Sequence, residues 1–535
     1  MKKISSLLLF SILPFFAFAQ MASDSLPFSF SIEEVDSSVA DLPGMHSFAY
    51  AKSGSKWLFV TGRVEGLHGF STNNSFEATY ANSNMVVIDT ATWQVYSFSV
   101  DSLDSVYHAL LRTTNTEFYQ EGNHLFILGG YTWASGVGFY TAPTIVSIDV
   151  DEMMDAIINQ SSVTAMQHIR NTTDTVAEVT GGKLMKLGND YYLLMGNHFE
   201  GYYNQQFVIY TQYYMEAIRK FNIVDDGVTV SISNFTSISD TANFHRRDLN
   251  AEYYKTPTGQ TNIAAYGGVF RKNQDWPFLN PIYFDGTAYT VDTFNQKMSQ
   301  YTCPVVPLFD STSKNMYQVF FGGISLYTYL DSAGIQVRDS LVPFIDDVTV
   351  QTKKQDGSTT ETILDLKMPG LTGSNMVFIP SDRGAQFDHG IYDLRKDTGR
   401  TMIGYLFGGI RATHANLGLS SANHKLYRVY LETFYPHDTT VDTTGVTDFF
   451  AEKNIAVYPN PANEQITVSG LERNANYTVQ LSDVSGRIIS DEKINTNRRG
   501  VIATNVRQVN AGIYFLRISN MVGESKTISV IVNHE

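Results

Sequence analysis

Apolar residues come in short bursts along this chain, and six of the bursts end alike. They are WLFVTG (57–62), LFILGG (125–130), YYLLMG (191–196), IAAYGG (263–268), YQVFFGG (317–323) and IGYLFGG (403–409). A strand with one wet face alternates apolar and polar positions. A run that hardly alternates predicts a strand buried on both faces. Glycine at its end predicts a bulge or a close backbone approach, where a side chain would collide. The closing glycines are Gly62, Gly130, Gly196, Gly268, Gly323 and Gly409, spaced 68, 66, 72, 55 and 86 residues apart. The pattern predicts six copies of one unit of irregular length.

Each run has a partner strand just upstream, across a polar turn. SFAYAKSGSKWLFVTG (47–62), EFYQEGNHLFILGG (117–130) and KLMKLGNDYYLLMG (183–196) show it, with turns KSGS, EGN and GND. Downstream comes a polar loop and then a second hairpin, as in NMVVIDTATWQVYSFS (84–99) and NPIYFDGTAYTVDTF (280–294). Four antiparallel strands repeated six times is the arithmetic of a β-propeller. FSFSIEEV (28–35) alternates and precedes the first hairpin, so it is expected to complete the last unit. The other strands of that unit are expected near 390–395, 402–408 and 425–433. The segment GSNMVFIP (373–380) fits no slot.

Residues 28–435 resemble the kelch-repeat family, whose signature is a strand ending in Gly-Gly followed by a hairpin with spaced aromatics. Gly129-Gly130, Gly267-Gly268, Gly322-Gly323 and Gly408-Gly409 carry the doublet; Thr61-Gly62 and Gly196-Asn197 depart from it. The resemblance implies an all-β fold with a kelch-like propeller of six blades, seven being the alternative, over residues 20–435.

The texture changes after Tyr435. PHDTTVDTTGVTDFF (436–450) reads as a Thr/Asp-rich linker, taken as 436–452. Alternating strands then follow in AVYPNPANEQITVSG (456–470), YTVQLSDVSGRIIS (477–490), AGIYFLRISN (511–520) and SKTISVIVN (525–533), predicting a small immunoglobulin-like sandwich over 453–535. This ending resembles the type A sorting domain of the type IX secretion system of Bacteroidetes. Tyr458-Pro459-Asn460-Pro461, Asp483 with Gly486-Arg487, and Gly512-Ile513-Tyr514 carry the likeness. It implies an export address read by the type IX machinery, and a secreted or surface-attached protein.

The other end agrees. Lys2 and Lys3, the apolar stretch Leu7–Phe16 and Ala17-Phe18-Ala19 form a signal peptide over 1–19. The net charge of −15, with no basic stretch, argues against a nucleic-acid partner. No later stretch is apolar for long enough to span a membrane as a helix. The sole cysteine, Cys303, cannot form an intramolecular disulfide, so the fold must rest on core burial, and the thiol is expected to be buried.

Candidate chemistry follows from the propeller reading. Loops after the closing glycines, and those leading into the first strands, share one face, where propeller ligands usually bind. These loops carry Arg63, Glu65, His68, Tyr131, Trp133, His198, Glu200, Arg271, Trp276, Arg411 and His414, and Arg246 lies before a first strand. Aromatic faces with arginine forks and carboxylates suit a glycan or a protein ligand. Binding is the leading expectation. A kelch-type sialic acid mutarotase using Glu65, His198, Glu200 and Arg411 is the enzymatic alternative, and a non-catalytic structural surface protein the third. The copper site of galactose oxidase-like kelch enzymes needs a set of histidines that does not match here; no metal or cofactor is expected. Metalloprotease, esterase and phosphate-loop motifs are missing, and DVDEMMD (149–155) reads as a helix start, not a calcium loop. Asp-Ser/Thr-apolar tripeptides such as Asp89-Thr90-Ala91, Asp104-Ser105-Val106, Asp174-Thr175-Val176 and Asp240-Thr241-Ala242 resemble O-glycosylation sites of exported Bacteroidetes proteins.

Overall fold

The computed structural model describes residues 26–36, 42–69, 75–203, 209–330, 335–382, 387–396, 399–416, 419–435 and, apart from short breaks at 474, 484–486, 499 and 521–524, 455–534. The signal peptide over 1–19 and the whole of the linker over 436–452 lie outside the described residues. The chain divides into two compact units, Met1–Pro436 and His437–Glu535.

The first unit is all-β and antiparallel, with helix confined to short pieces. Sheet one comprises Ala49–Ser53, Lys56–Val60, Asn84–Asp89 and Gln94–Ser99, hydrogen-bonded in chain order. Sheets two to five begin at Glu117, Lys183, Asn250 and Val305 and follow the same up-and-down order. In sheet six, Met376–Pro380, Gly399–Gly408 and Leu426–Thr433 are completed by Phe28–Glu34, which pairs in register from Phe28 opposite Thr433 to Glu34 opposite Tyr427.

The six glycine-closed runs are the second strands. In Lys56–Val60, His124–Leu128 and Asp190–Leu194, the last four residues are all buried. Such a strand gains on the order of 6–12 kcal/mol from apolar burial, before conformational entropy is counted. The burial is two-sided because apolar clusters join each sheet to its neighbours. Leu58 and Val60 pack with Leu125 and Ile127, Phe126 and Leu128 with Tyr191 and Leu193, and Trp57 and Phe59 with Ile379 and Phe407 of sheet six.

The glycine after five of the six runs hydrogen-bonds across the seam to the next sheet; at the fourth run Gly267 N–H donates instead to Gln296 Oε1 at 3.0 Å. The N–H of Gly62 donates to Thr113 O (2.7 Å), Gly130 to Val179 O (2.8 Å), Gly196 to Arg246 O (2.9 Å) and Gly323 to Thr372 O (3.2 Å), each acceptor lying just ahead of the next sheet. Gly409 of sheet six makes the same bond to Met45 O ahead of sheet one, at 2.9 Å. The two residues closing each run share one left-handed conformation, φ 60° then 88° at Gly129-Gly130. A Cβ on Gly129 would stand 2.1 Å from Val179 O. Where the first glycine is lacking, Thr61 (φ 65°) and Met195 (φ 56°) accept the same conformation. The third repeat therefore aligns on Met195-Gly196, and not on Gly196-Asn197.

The last unit differs from expectation. Met376–Pro380 is the first strand of sheet six. The stretch expected there, 390–395, instead lays Tyr392-Asp393 parallel to Leu308-Phe309 at the edge of sheet five. The connection from Pro380 to Gly399 is long, and this excursion was the nearer match to a short-hairpin rule. Asp310 fixes it. Its carboxylate is 3% exposed and accepts from Arg395 Nε (2.7 Å), Ser313 Oγ (2.7 Å) and Tyr435 Oη (2.8 Å).

Helix Val150–Ile158 begins where DVDEMMD predicted a helix start. Cys303 is buried beside Asn250, and burial pushes its thiol up to about 12. Asp89, Asp174 and Asp240 each accept the N–H two residues on, at 3.0, 2.8 and 2.9 Å, so local turn chemistry accounts for three of the Asp-Ser/Thr-apolar tripeptides.

Two predictions follow from the seam and the clamp. Gly408→Ala should destabilise the protein by about 2–4 kcal/mol, since its Cβ would meet Phe48 Cε1 at 2.5 Å and Met45 O at 2.8 Å, across the seam to sheet one, at φ 71°. Gly54→Ala, also left-handed but with open space around it, should cost about 1 kcal/mol; equal urea midpoints for the two variants would contradict the seam. Asp310 is held below the usual carboxylate range: burial opposes ionisation, but hydrogen bonds led by Arg395 outweigh it. A depressed folded value stabilises above the unfolded carboxylate value near 4 and fades as pH falls below it. Asp310→Asn should lose about 2–4 kcal/mol at pH 7 and show a shallower acid-side decline than wild type in urea titrations at pH 7 and 3.

Candidate functional site

Where the inner strands begin, one small residue per sheet stands left-handed: Ser47, Asn115, Gly181, Asp248, Thr302 and Asn375, with φ between 51° and 70°. Short polar residues and glycine tolerate this conformation best. Four of them link head to tail through the backbone: Asn115 N–H donates to Ser47 O (3.2 Å), Gly181 to Asn115 O (3.1 Å) and Asp248 to Gly181 O (2.6 Å). Asn375 N–H donates likewise to Thr302 O (2.5 Å). This collar separates two cavities. One, of about 410 Å³, opens among the loops after the closing glycines; the other, of about 110 Å³, lies on the strand side. Ser47, Asn115, Asp248, Thr302 and Asn375 line both.

Four inserted hairpins rise on the loop side, each starting beside a closing glycine: Tyr131–Thr141, Asn197–Tyr214, Tyr327–Arg338 and Ile410–Ala422. The first two are tied by Thr141 Oγ1, which donates to Phe199 O and accepts from Phe199 N–H, both at 2.8 Å.

The larger cavity is walled by Phe76, Tyr203, Phe270 and Tyr301, with Arg63, Arg247, His46, His68 and Asp275 among them. Arg63 is almost fully buried; its Nε donates to Glu65 Oε1 at 2.8 Å and its Nη2 to Glu77 O at 2.9 Å. Burial lowers the guanidinium and Glu65 opposes that; burial likewise raises Glu65 against the pull of Arg63. Arg247 pairs with Asp248 and lies 5.4 Å from the Phe270 ring centre. Burial works against its charge most strongly, but Asp248, Tyr214 and Tyr203 together outweigh it and hold Arg247 above its usual value.

His68 stacks on Phe76 at 4.1 Å and donates from Nδ1 to Gly69 O at 2.8 Å. His46 Nδ1 lies 2.9 Å from Ser47 Oγ. Burial, aided by Arg63, pushes His46 down to about 3, and burial pushes His68 down to about 4. A histidine and a serine in contact resemble a base and its nucleophile. Here the left-handed serine belongs to a conformation repeated in every sheet, and so poor a base does not activate it.

Of the twelve residues expected at a site, Arg63 and His68 line the large cavity. His68 and Tyr131 line an adjoining pocket of about 60 Å³, and Glu65 reaches the cavity wall through Arg63. The other eight do not line either. Trp133 and Glu200 are exposed on hairpins, and His198 is buried against Tyr213, stacked at 4.5 Å. Arg271 is exposed, Trp276 lies under Arg338 at 3.7 Å, and Arg411 points to Tyr427 Oη at 3.4 Å. His414 is exposed beside Thr413. Arg246 is wholly buried; its Nε donates to Asn243 O (2.8 Å) and its Nη1 to Gly267 O and Asn280 O (both 3.0 Å), over the Phe278 ring. It serves the fold, and the cavity takes its neighbour Arg247 instead. Asp388-His389 sits at the far end of a first strand: His389 stacks on Tyr253 and Asp388 pairs with Lys255.

The collar had a sequence signal. Ser47, Asn115 and Gly181 each stand 15 residues before the closing glycine of their repeat. The interval lengthens in the later repeats and hides Asp248, Thr302 and Asn375.

The second unit is built from a three-stranded and a four-stranded sheet around one core that includes Ile466, Val479, Leu516 and Val530. Its motif residues are structural ties. Asn460 donates to Ser529 O at 3.1 Å and accepts from Ile531 N–H at 2.8 Å. Asp483 accepts from Arg487 N and Nε, both at 3.1 Å, and Tyr514 Oη donates to Asn510 O at 2.8 Å. Residues 456–533 match the family of secretion system C-terminal sorting domains. The sorting domain supports export by the type IX system, and a secreted or cell-surface location. Among the described residues no helix is long and apolar enough to cross a membrane. No curated protein sequence matches the chain. Among solved structures, a novel fungal alcohol oxidase with catalytic diversity among the AA5 family, in complex with copper, aligns over 95% of this chain and 100% of its own at 10% identity. The TM-score of 0.36 is too low for fold or chemistry to carry over.

The buried histidines give a direct check. By NMR of their ring carbons, His46 and His68 should stay neutral from pH 8 to below 5, where an ordinary histidine titrates near 6.5. A midpoint above 6 for either would contradict the closed electrostatics described for the cavity.

Proposed function

We propose that the six sheets are the blades of a kelch-like β-propeller, and that the mature protein is an exported binding module that takes a glycan in the large cavity. The repeated glycine-to-carbonyl bond, made from sheet six to sheet one as well as onward along the chain, supports the circular arrangement. The observation that carries the function is the convergence of five phenylalanine and tyrosine rings, two arginines and the polar collar on one cavity of about 410 Å³. Aromatic faces pack against the apolar faces of sugar rings, and amides and hydroxyls meet their hydroxyl groups. Residues 453–535 act as a sandwich-folded sorting address, behind a linker and after removal of the signal peptide.

The mutarotase reading has less support. Its four candidates are dispersed: Glu65 is bound to Arg63, His198 to a hairpin, Glu200 is exposed, and Arg411 points to Tyr427. A purely structural surface protein would leave the cavity and its aromatic lining unexplained.

On a glycan array, the mature chain should bind at least one saccharide, and Tyr203→Ala, at a half-buried wall residue, should reduce that binding at least tenfold while the protein keeps one cooperative thermal transition. Full binding by a folded Tyr203→Ala would rule out the cavity as the site. Deleting residues 456–533 should trap the protein inside the outer membrane, as read by fractionation of cells and medium; undiminished export would remove the sorting role.

A further inference from the structure

The cavity reading leaves the kind of saccharide open, and the ionic contacts narrow it. Each strongly basic group that faces the space already has its counter-charge. Arg63 is committed to Glu65 and the carbonyl of Glu77, and Arg247 to Asp248. The two histidines that line it are uncharged at neutral pH because they are buried next to those arginines. Asp275, the remaining ionisable residue on the lining, is exposed and acidic. The rest of the polar lining is amide and hydroxyl, and includes Thr114, Asn115, Thr302, Ser374, Asn375 and Asn416.

We infer, resting on the glycan-binding reading, that the cavity selects uncharged saccharides and rejects those bearing carboxylate or sulfate groups. Among the described residues of the lining, an anionic sugar would find no unpaired cation. To reach Arg63 it must displace Glu65 and leave that half-buried carboxylate without a partner, and to reach Arg247 it must displace Asp248. Both exchanges replace a pre-formed charge pair with one that first has to strip water from the incoming anion. Hydroxyl groups impose no such exchange. Each is donor and acceptor at once, as are the asparagine amides and the threonine and serine hydroxyls of the lining. The arginines then act as positioning residues. Arg247 lies over Phe270 and Arg63 over Phe76, at 5.4 and 5.3 Å, so each ion pair also fixes an aromatic wall.

The test sets neutral oligosaccharides (glucans, mannans, galactans, chitin fragments) against sialylated, uronate-containing and sulfated ones, titrated into the mature chain at low and moderate salt. Binding confined to the neutral set, and changed by less than about twofold between 50 and 300 mM NaCl, is the expected result. Preference for the anionic set, weakening steeply with salt, overturns the inference and leaves the cavity-binding reading in place. Binding of neither set removes that reading and the inference with it. Glu65→Gln gives a gain-of-function arm. With its carboxylate neutralised, Arg63 becomes an available cation, and affinity for uronates or sialates should rise at least tenfold. A Glu65→Gln protein that melts like wild type and gains no anionic affinity also overturns the inference.

Discussion

The N–H of a closing glycine, donated to a carbonyl of the next sheet, is the constraint on which the first unit depends. It fixes how near two sheets come, and that distance decides which side chains fit between them. It also positions the start of each inner strand, because its acceptor lies only a few residues ahead of that strand. The collar and the cavity above it are therefore consequences of the seam. A sheet set back by one methyl group would move its share of the lining with it.

The sequence announced the second strands clearly, since only two-sided burial tolerates so many consecutive apolar residues. It also announced the completion of sheet six by residues 28–34, whose alternation had no partner nearby. It misled where turn length varied. Short-hairpin logic chose 390–395 over 376–380, because nothing local marks an 18-residue connection from Pro380 to Gly399 as one hairpin loop. It also treated the glycine doublet as a matter of residue type, whereas Thr61 and Met195 adopt that backbone with side chains.

The site was less legible, for a physical reason. Loop residues after the glycines divide between those facing the cavity and those serving the hairpins, and composition does not distinguish them. Arg63 and His68 were recognisable because they lie in the loop that starts at a closing glycine, Gly62. Arg246 and Arg247 are identical letters one position apart. One is enclosed by carbonyls and the other faces the cavity, and a single step along an extended backbone separates those fates. The pairing of each arginine with a carboxylate close in sequence was visible as Arg63…Glu65 and Arg247-Asp248, but its meaning depends on burial, which only the fold supplies.

Sheet six joins chain segments nearly four hundred residues apart. Because a chain is synthesised amino end first, Phe28–Glu34 is among the first strands made and the last to be satisfied. Its apolar face must wait for Leu426–Thr433. Sheet six can close only when almost the whole first unit has been made, and the residues that match the sorting-domain family come after it in the chain.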